Sequence, residues 1–429
     1  MKSAKSLKSF QFFLGSHRAV SLAELISLKL IKSAYFDFQN KTSITENNIF
    51  VMFKESVVVS SAYTKNKILQ KANMLGGSPK IAQVVAIQRI KDPNQVIESI
   101  KNILIKDIAN LSKTNQQKKF FATFNFYADI SKTAKHAKIE IKKALKQEGI
   151  SLKILGRMQQ ARVNSATTNL VYSKNGLEFN ITYSNANKIL VISKTIFVQD
   201  YRLWQRLDYQ KPHRDMKVGM LPSKLARIML NLAKIDENKG FWDPFVGLGT
   251  TIMQGQFLKA YSYGSDIDHK VLPKAEENVK WLLKSGLVRE LRYNIFKFNV
   301  LDSPKSNKML RSIIRHGRFD ALVTEGYLGY PQKKPFKNIS DAKREWRKVS
   351  HLYKALTKIQ LPALKVQGRL VVTVPMYKYK SKTGYKWFIP EFDFNAHRLK
   401  PINFKVGNLD WINKDSVVGR RLYVLERIK

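Results

Sequence analysis

The stretch Asp243-Pro244-Phe245-Val246-Gly247-Leu248-Gly249-Thr250-Thr251 decides the reading of this chain. It follows an apolar run, Gly240-Phe241-Trp242, and leads into Ile252 and Met253, so it reads as a strand turning straight into a helix. Two glycines one residue apart let the backbone turn tightly and come close to a ligand. The spacing is G-x-G, and no lysine follows. That argues against the G-x-x-x-x-G-K-[ST] loop that cradles phosphates.

Outward from this turn, strand and helix patterns alternate. A helix is expected over 221–233, and strands over 240–244, 261–267, 295–300, 320–324, 369–375 and 421–426. Such alternation predicts an α/β fold, a doubly wound sheet of the Rossmann type. About 20 residues after such a turn, an acid at the end of the next strand accepts both hydroxyls of a ribose. Gly264-Ser265-Asp266-Ile267-Asp268 supplies Asp266, with Asp268 as second choice. The strand after that ends in Asn299-Val300-Leu301-Asp302, where a carboxylate accepts from an adenine amino group. Gly-rich turn, ribose acid and adenine acid on three successive strand ends together describe an adenosyl site.

Size and charge bound the rest. A chain of 429 residues exceeds one ordinary core and predicts two or three domains. Its 44% hydrophobic and 11% aromatic content is that of a globular protein. No apolar stretch reaches the length of a membrane span, and the basic N-terminus lacks a signal-peptide core. With no cysteine, disulfides and thiolate metal sites are excluded, which fits the cytoplasm. No His/Asp/Glu group has metal-ligand spacing, so no metal is expected. Lys and Arg total 76 against 32 acids, a net charge of +44 that favours a polyanionic partner. Residues 301–429 carry 28 of those bases and 10 of the acids, whereas 201–300 is the least basic stretch. Flanking surfaces around a less basic cofactor region suit nucleic-acid binding.

The N-terminal half reads as two α+β blocks. In residues 1–75, a strand ends at Gly15, Ser21 and Glu24 form a capping box for a helix, and strands follow at 49–53 and 56–60. In residues 76–195, strands are expected at 120–126, 150–155, 176–183 and 189–198. A helix over 133–148 carries Ala134, Ile139, Ile141 and Leu145 near one face and a basic face with Lys138 and Lys142 on the other.

These residues resemble the THUMP-domain tRNA guanosine N2-methyltransferases of archaea and eukaryotes. The resemblance runs through Phe13-Leu14-Gly15 with Ser21-Leu22-Ala23-Glu24-Leu25, Arg202, Lys211-Pro212-His213-Arg214-Asp215 and Gly219-Met220-Leu221-Pro222-Ser223-Lys224-Leu225-Ala226. It continues through Asp243-Pro244-Phe245 with Gly247 and Gly249, then Gly264 to Asp268, Asn278 and Trp281-Leu282. It touches most of the chain but is dense only from about 200 to 330. The resemblance implies a ferredoxin-like domain over 1–75, a THUMP-like RNA-binding domain over 76–195, a linker over 196–218 and a methyltransferase domain over 219–429. It implies S-adenosyl-L-methionine as cofactor, with Leu221, Asp243, Phe245, Gly247, Gly249, Thr250, Asp266, Ile267 and Asp302 around it. It implies tRNA as substrate, with guanosine 10 as target. The expected state is a monomer, with a small activating protein partner left open. Ribosomal RNA N2-methylation, DNA amino-methylation and cofactor-fold RNA binding without catalysis stand as alternatives.

The chain departs from the family at the catalytic loop. Where the family has Asp-Pro-Pro-Tyr after a strand, this sequence has Glu325-Gly326-Tyr327-Leu328-Gly329-Tyr330-Pro331. An exocyclic amine is a poor nucleophile because its lone pair is delocalised into the ring. A carboxylate accepting its N–H bonds orients it, and an aromatic ring stacks on the extruded base. Glu325 is expected in the first role and Tyr327 or Tyr330 in the second. Directly after the loop come Lys333, Lys334, Lys337, Lys343, Arg344, Arg347 and Lys348, interleaved with Phe336 and Trp346. Bases among aromatics suit a flipped-base RNA substrate.

Overall fold

The computed structural model describes residues 8–32, 42–45, 48–61, 63–214, 220–391 and 398–428. Asp215 and Gly219, which carry part of the resemblance, lie outside the described residues. In chain order the elements are β1 (Lys8–Phe13), α1 (Arg18–Ser27), β2 (Thr42–Thr45), β3 (Asn48–Met52), β4 (Ser56–Ser61), α2 (Lys65–Ala72), β5 (Lys80–Arg89), α3 (Val96–Asn115), β6 (Lys119–Ala128), α4 (Ala134–Gln147), β7 (Ser151–Ile154), α5 (Ser165–Ser173), β8 (Leu177–Ser184) and β9 (Ile189–Val198). They continue with α6 (Tyr201–Tyr209), α7 (Ser223–Leu232), β10 (Gly240–Asp243), α8 (Thr250–Phe257), β11 (Tyr261–Asp266), α9 (Leu272–Lys284), β12 (Tyr293–Lys297), α10 (Lys308–His316), β13 (Phe319–Glu325), α11 (Ile339–Lys358), β14 (Leu364–Ser381), β15 (Gly384–Phe388), β16 (Leu399–Pro401), β17 (Asp410–Trp411) and β18 (Val418–Arg427). Two compact units divide them: Met1–Leu14, Ala34–Asn73 and Ser78–Tyr201 form one, and Gly15–Ser33, Met74–Gly77 and Arg202–Lys429 the other.

The first unit holds one sheet in the order β2-β3-β4-β1-β5-β9-β8-β6-β7. β1 is an internal strand, antiparallel to β4 on one edge and to β5 on the other. Its run of Phe10, Phe12 and Phe13 is buried accordingly. Gln11 is buried between them. Its amide donates to Ser56 Oγ and Thr182 Oγ1 and accepts from Ser193 Oγ, so its polar atoms find partners inside the sheet. α3 and α4 pack on this sheet. Val96, Ile100, Leu104 and Ile108 of α3 recur every fourth residue and are buried with Ala134, Ala137, Ile141 and Leu145 of α4 against Phe124 and Phe126.

Two expectations for these helices need correcting. Lys138 is not on the solvated face of α4: it is 1% exposed, and its ammonium donates to the carbonyl of Gln160 at 2.6 Å. Ile139, placed near the apolar face, is exposed instead. The helix is rotated so that the lysine points inward, its ammonium 5.9 Å from the Phe126 ring centroid and bonded to backbone carbonyls. Lys142 is exposed, as expected.

In the second unit α1 starts at Arg18, so Ser21 lies inside the helix and does not cap it. Ser21 Oγ donates to the Gly77 carbonyl at 2.8 Å. Glu24 is fully buried and accepts from the N–H groups of Gly76 and Gly77, both at 2.8 Å, and from Asn231 Nδ2 at 2.7 Å. What reads locally as a capping box is a long-range clamp joining α1, the 74–77 segment and α7.

The sheet of this unit runs β12-β11-β10-β13-β14-β18-β16. β10 to β14 are parallel to their neighbours and β18 is antiparallel to β14. Leu225, Ile228 and Met229 of α7 and Ile252 of α8 bury one face with Phe241, Val323 and Val371, while Val349 and Tyr353 of α11 bury the other with Trp242, Leu322 and Leu370. Burial on both faces explains why these strands read as continuous apolar runs. This is the expected doubly wound α/β fold of the Rossmann type. The strand order reverses between β10 and β13, and ligands bind at the carboxyl ends of strands at such a switch point.

Candidate active site

The Gly-rich turn joins β10 to α8 at that switch point. Gly247 has φ +48° and Gly249 φ +80°, both in the left-handed region. Gly249 is also sterically constrained, since a Cβ there would lie 3.3 Å from Ala275. The turn lies on β11: Val246 N–H donates to the Ser265 carbonyl at 2.9 Å and Gly247 N–H to Asp266 Oδ2 at 3.1 Å. Gly264 permits this approach, because a Cβ there would lie 2.5 Å from Val246 Cγ2.

Asp243 ends β10 and is 2% exposed. Its Oδ1 accepts from Thr324 Oγ1 at 2.5 Å and from Phe245 N–H at 3.0 Å, and its Oδ2 accepts from Thr251 Oγ1. Burial outweighs these three donors and pushes the carboxyl up to about 7. The residue therefore ties the turn to β13, the strand that leads into the 325–331 loop.

A cavity of about 520 Å³ opens here. Leu221, Asp243, Phe245, Gly247 and Thr250 line it, whereas Gly249, also expected beside the cofactor, is not among the lining residues. Asp268 lines it too, whereas Asp266 stands behind the turn with its oxygens taken by the N–H groups of Gly247 and Asp268. Ile267 is 61% exposed and is not among the lining residues. Asp302 is not brought to the site. β12 ends at Lys297, so Asp302 falls in an exposed turn whose carbonyl accepts from Gln360. The adenine acid read from the sequence is thus displaced by a strand that ends three residues earlier than expected.

Residues 211–214 form another wall. Pro212, His213 and Arg214 line the cavity, and Asn278 of α9 fastens them: its Oδ1 accepts from His213 N–H at 2.8 Å, and its Nδ2 donates to the carbonyls of His213 at 3.1 Å and Leu248 at 2.9 Å. One amide so links this wall to the Gly-rich turn. Lys211, 2% exposed, donates to Thr250 Oγ1 at 3.1 Å, and burial lowers its pKa. Both residues lie in segments that carried the resemblance, but nothing in their local spacing announced these roles.

Glu325 ends β13 and lines the cavity on the side of the loop. Its Oε1 accepts from Nε of Arg420 on β18. Burial raises its pKa and the guanidinium opposes the rise. The loop after it is held by its backbone: Tyr353 Oη donates to the Tyr327 carbonyl and Tyr377 Oη to the Leu328 carbonyl, each at 3.0 Å, and Tyr330 N–H donates to Glu345 Oε1 at 3.2 Å. Gly326 lies against the Tyr353 ring, where a Cβ would approach within 2.4 Å. Tyr327 and Tyr330 stay 42% and 72% exposed, free to meet a planar ligand.

The basic segment divides. Lys333, Lys334, Lys337, Arg344 and Arg347 are exposed. Arg344 is paired with Asp341 and Lys348 with Glu345. The two aromatics expected among them turn inward, Phe336 against Tyr377 and Trp346 against Tyr353, with ring centroids 5.5 and 5.1 Å apart. They support the loop and are not open platforms for bases. Among the described residues no group of three His, Asp or Glu side chains is placed to hold a metal. None of the described helices is long and apolar enough to cross a membrane.

With this geometry in hand, likeness to known proteins has a place to fall. No protein-family profile matches the chain. It is 27% identical to tRNA (guanine(10)-N(2))-methyltransferase TRMT11 of Homo sapiens over 230 residues, 48% of this chain and 46% of that protein. It is 24% identical to the tRNA (guanine(10)-N2)-dimethyltransferase of Methanocaldococcus jannaschii over 220 residues, 50% of this chain and 54% of that one. The chain spans about half the length of the curated relatives it matches. Among solved structures, TrmN from Thermus thermophilus aligns over 98% of this chain and 100% of its own, with a TM-score of 0.47 at 15% identity.

Proposed function

We propose that this protein is an S-adenosyl-L-methionine-dependent RNA methyltransferase that modifies the N2 amino group of a guanosine in tRNA, at position 10 as its relatives' names suggest. One observation carries the reading: a cavity at the switch point of a doubly wound sheet, bounded by a Gly-rich turn on one side and by Glu325 on the other. Its volume of about 520 Å³ suits a cofactor of nucleoside size. Asp268 is placed for the ribose hydroxyls, the turn from Asp243 to Thr250 for the main body of the cofactor, and Leu221 and Phe245 for apolar cover. When bound, S-adenosylmethionine supplies an electrophilic methyl group on a sulfonium.

The chain's own residues do the rest. Glu325 accepts an N–H of the guanine amine at the oxygen that Arg420 leaves open, turning the nitrogen toward the methyl. Transfer would form the N–C bond as the S–CH3 bond breaks and leaves a neutral thioether; the ionised Glu325 carboxylate would stabilise the positive charge passing to that nitrogen and take its proton. Tyr327 or Tyr330 stacks on the extruded base. Lys142, Lys333, Lys334, Lys337, Arg344 and Arg347 hold phosphates. Lys138, paired internally, is withdrawn from that set. We further assign residues 76–195 a THUMP-like role in gripping tRNA, residues 1–75 a ferredoxin-like support and residues 219–429 the chemistry. A cytoplasmic monomer accords with this reading.

The experiment is methyl transfer from radiolabelled S-adenosylmethionine to bulk tRNA, ribosomal RNA and DNA in parallel, followed by nucleoside analysis. N2-methylguanosine in tRNA is the expected product, and Glu325→Gln should abolish turnover while RNA affinity persists. Labelled ribosomal RNA or DNA with unlabelled tRNA would refute the substrate. A second reading, an RNA-binding protein without turnover, draws on the Arg420 contact, which occupies one oxygen of the presumed catalytic carboxylate. It predicts cofactor binding with no transfer to any of the three.

A further inference from the structure

β14 does not stop where the sheet does. Glu325, the last residue of β13, is paired with Thr373, yet β14 continues to Ser381. At about 3.3 Å per residue, its tip extends roughly 26 Å past Thr373. That extension projects from the carboxyl end of the sheet, the end at which the cavity opens. Along one edge it pairs with β15, Lys378 opposite Trp387 and Lys380 opposite Tyr385. Along the other it is bridged by Phe336, whose N–H donates to the Lys378 carbonyl at 2.8 Å and whose carbonyl accepts from Lys380 N–H at 3.0 Å. A two-stranded hairpin results, tied by a single bridge to a segment about forty residues earlier in sequence.

Its composition is one-sided. Residues 377–390 contain Lys378, Lys380, Lys382 and Lys386 and no acid, and residues 331–338 contain Lys333, Lys334 and Lys337 and no acid. Lys380, Lys382 and Lys386 are exposed, and Tyr385 is 62% exposed with Lys378 Nζ 5.3 Å above its ring. A hairpin bearing four lysines, no acid and an exposed Tyr385 would repel a basic partner and gain from a phosphate chain with stackable bases. Tyr377, at its root, donates to the Leu328 carbonyl, so the hairpin and the loop beside Glu325 are mechanically joined.

We propose that the β14–β15 hairpin, together with residues 331–338, is an RNA clamp that holds the single strand flanking the target nucleotide. This rests on the methyltransferase reading and assigns its substrate a second grip besides the N-terminal unit. Lys380, Lys382 and Lys386 hold phosphates and Tyr385 stacks on a flanking base.

The test uses the full chain, bulk tRNA as probe and fluorescence anisotropy across a salt series. The Lys380→Glu/Lys382→Glu/Lys386→Glu variant should bind on the order of tenfold or more weakly at 0.1 M salt, with a log–log salt slope shallower by about two to three. Tyr385→Ala should weaken binding by about tenfold with an unchanged slope. Calorimetric titration with S-adenosylhomocysteine should show unchanged cofactor affinity in both, which reports an intact second unit. Unchanged tRNA affinity and slope in the charge-reversed variant would overturn the clamp while leaving the methyltransferase reading intact. Failure of the wild-type chain to bind tRNA would overturn both.

Discussion

Arg420 of β18 donates its Nε to Oε1 of Glu325 at the end of β13, across 95 residues of sequence. The guanidinium is 9% and the carboxylate 16% exposed, so the pair is only weakly screened by solvent. It is the one contact that most directly decides what Glu325 does. Arg420 favours the ionised form against the burial that raises the pKa, and it turns one oxygen away from a substrate.

Substituting Arg420→Met should therefore raise the Glu325 pKa further. If the proposed transfer uses the ionised carboxylate, the acidic limb of the kcat/KM profile should move to higher pH, and transfer at pH 7 should fall on the order of tenfold. Arg420→Lys should restore part of the loss. A pH–rate series on the three proteins is the measurement. Faster transfer in Arg420→Met would show instead that the arginine silences the site.

Asp243 has a pH signature in stability. Its folded-state pKa lies near 7, above its ordinary 3.8, so between those values the folded chain binds a proton that the unfolded chain does not. The stabilisation is complete below about 4 and disappears as pH rises through about 7. Against an Asp243→Asn variant, the stability advantage of the wild type should shrink from pH 5 to pH 8 in urea titrations. A constant or growing advantage would contradict the burial argument.

Asn278→Ala removes three hydrogen bonds and strands the half-buried partners on Leu248 and His213. About 1–3 kcal/mol of stability should go with them. Cofactor affinity should fall more than stability alone explains, because the 211–214 wall and the Gly-rich turn lose their common tie. Thermal unfolding with and without S-adenosylhomocysteine separates the two effects: a shift that the ligand fully restores would count against this tie.

Lys138 and Lys142 sit four residues apart on α4 and should behave oppositely. Lys138→Ala leaves the Gln160 carbonyl without its donor and should cost about 1–3 kcal/mol with tRNA affinity unchanged. Lys142→Ala should leave stability alone and, if α4 contacts phosphates, lower the salt slope of binding by about one. Denaturant titration and salt-dependent anisotropy distinguish them.

The sequence carried the reading where physics is local. Gly247 and Gly249 require left-handed backbone, apolar runs buried on both faces read as parallel strands, and Asp243 closes the first strand. Each constraint acts within a few residues. The four-residue recurrence of Val96, Ile100, Leu104 and Ile108 was equally local, yet no helix was expected over 96–115. The Ser21 and Glu24 pattern misled for the opposite reason: both side chains found better partners in Gly76, Gly77 and Asn231 than in their own first turn.

By itself, then, the sequence determined the doubly wound sheet, the position of the Gly-rich turn and the basic character of the surface, because backbone conformation, periodicity and net charge are summed along the chain. Tertiary structure alone decided that Asp268 faces the cavity in place of Asp266, that Asp302 lies outside it, that Lys138 turns inward and that Glu325 answers to Arg420. It also decided that Phe336 joins a lysine hairpin beyond the sheet. Each of these depends on where distant strands end and which side chains meet there, and burial changes the energy of a charge or a hydrogen bond far more than any neighbour in sequence does.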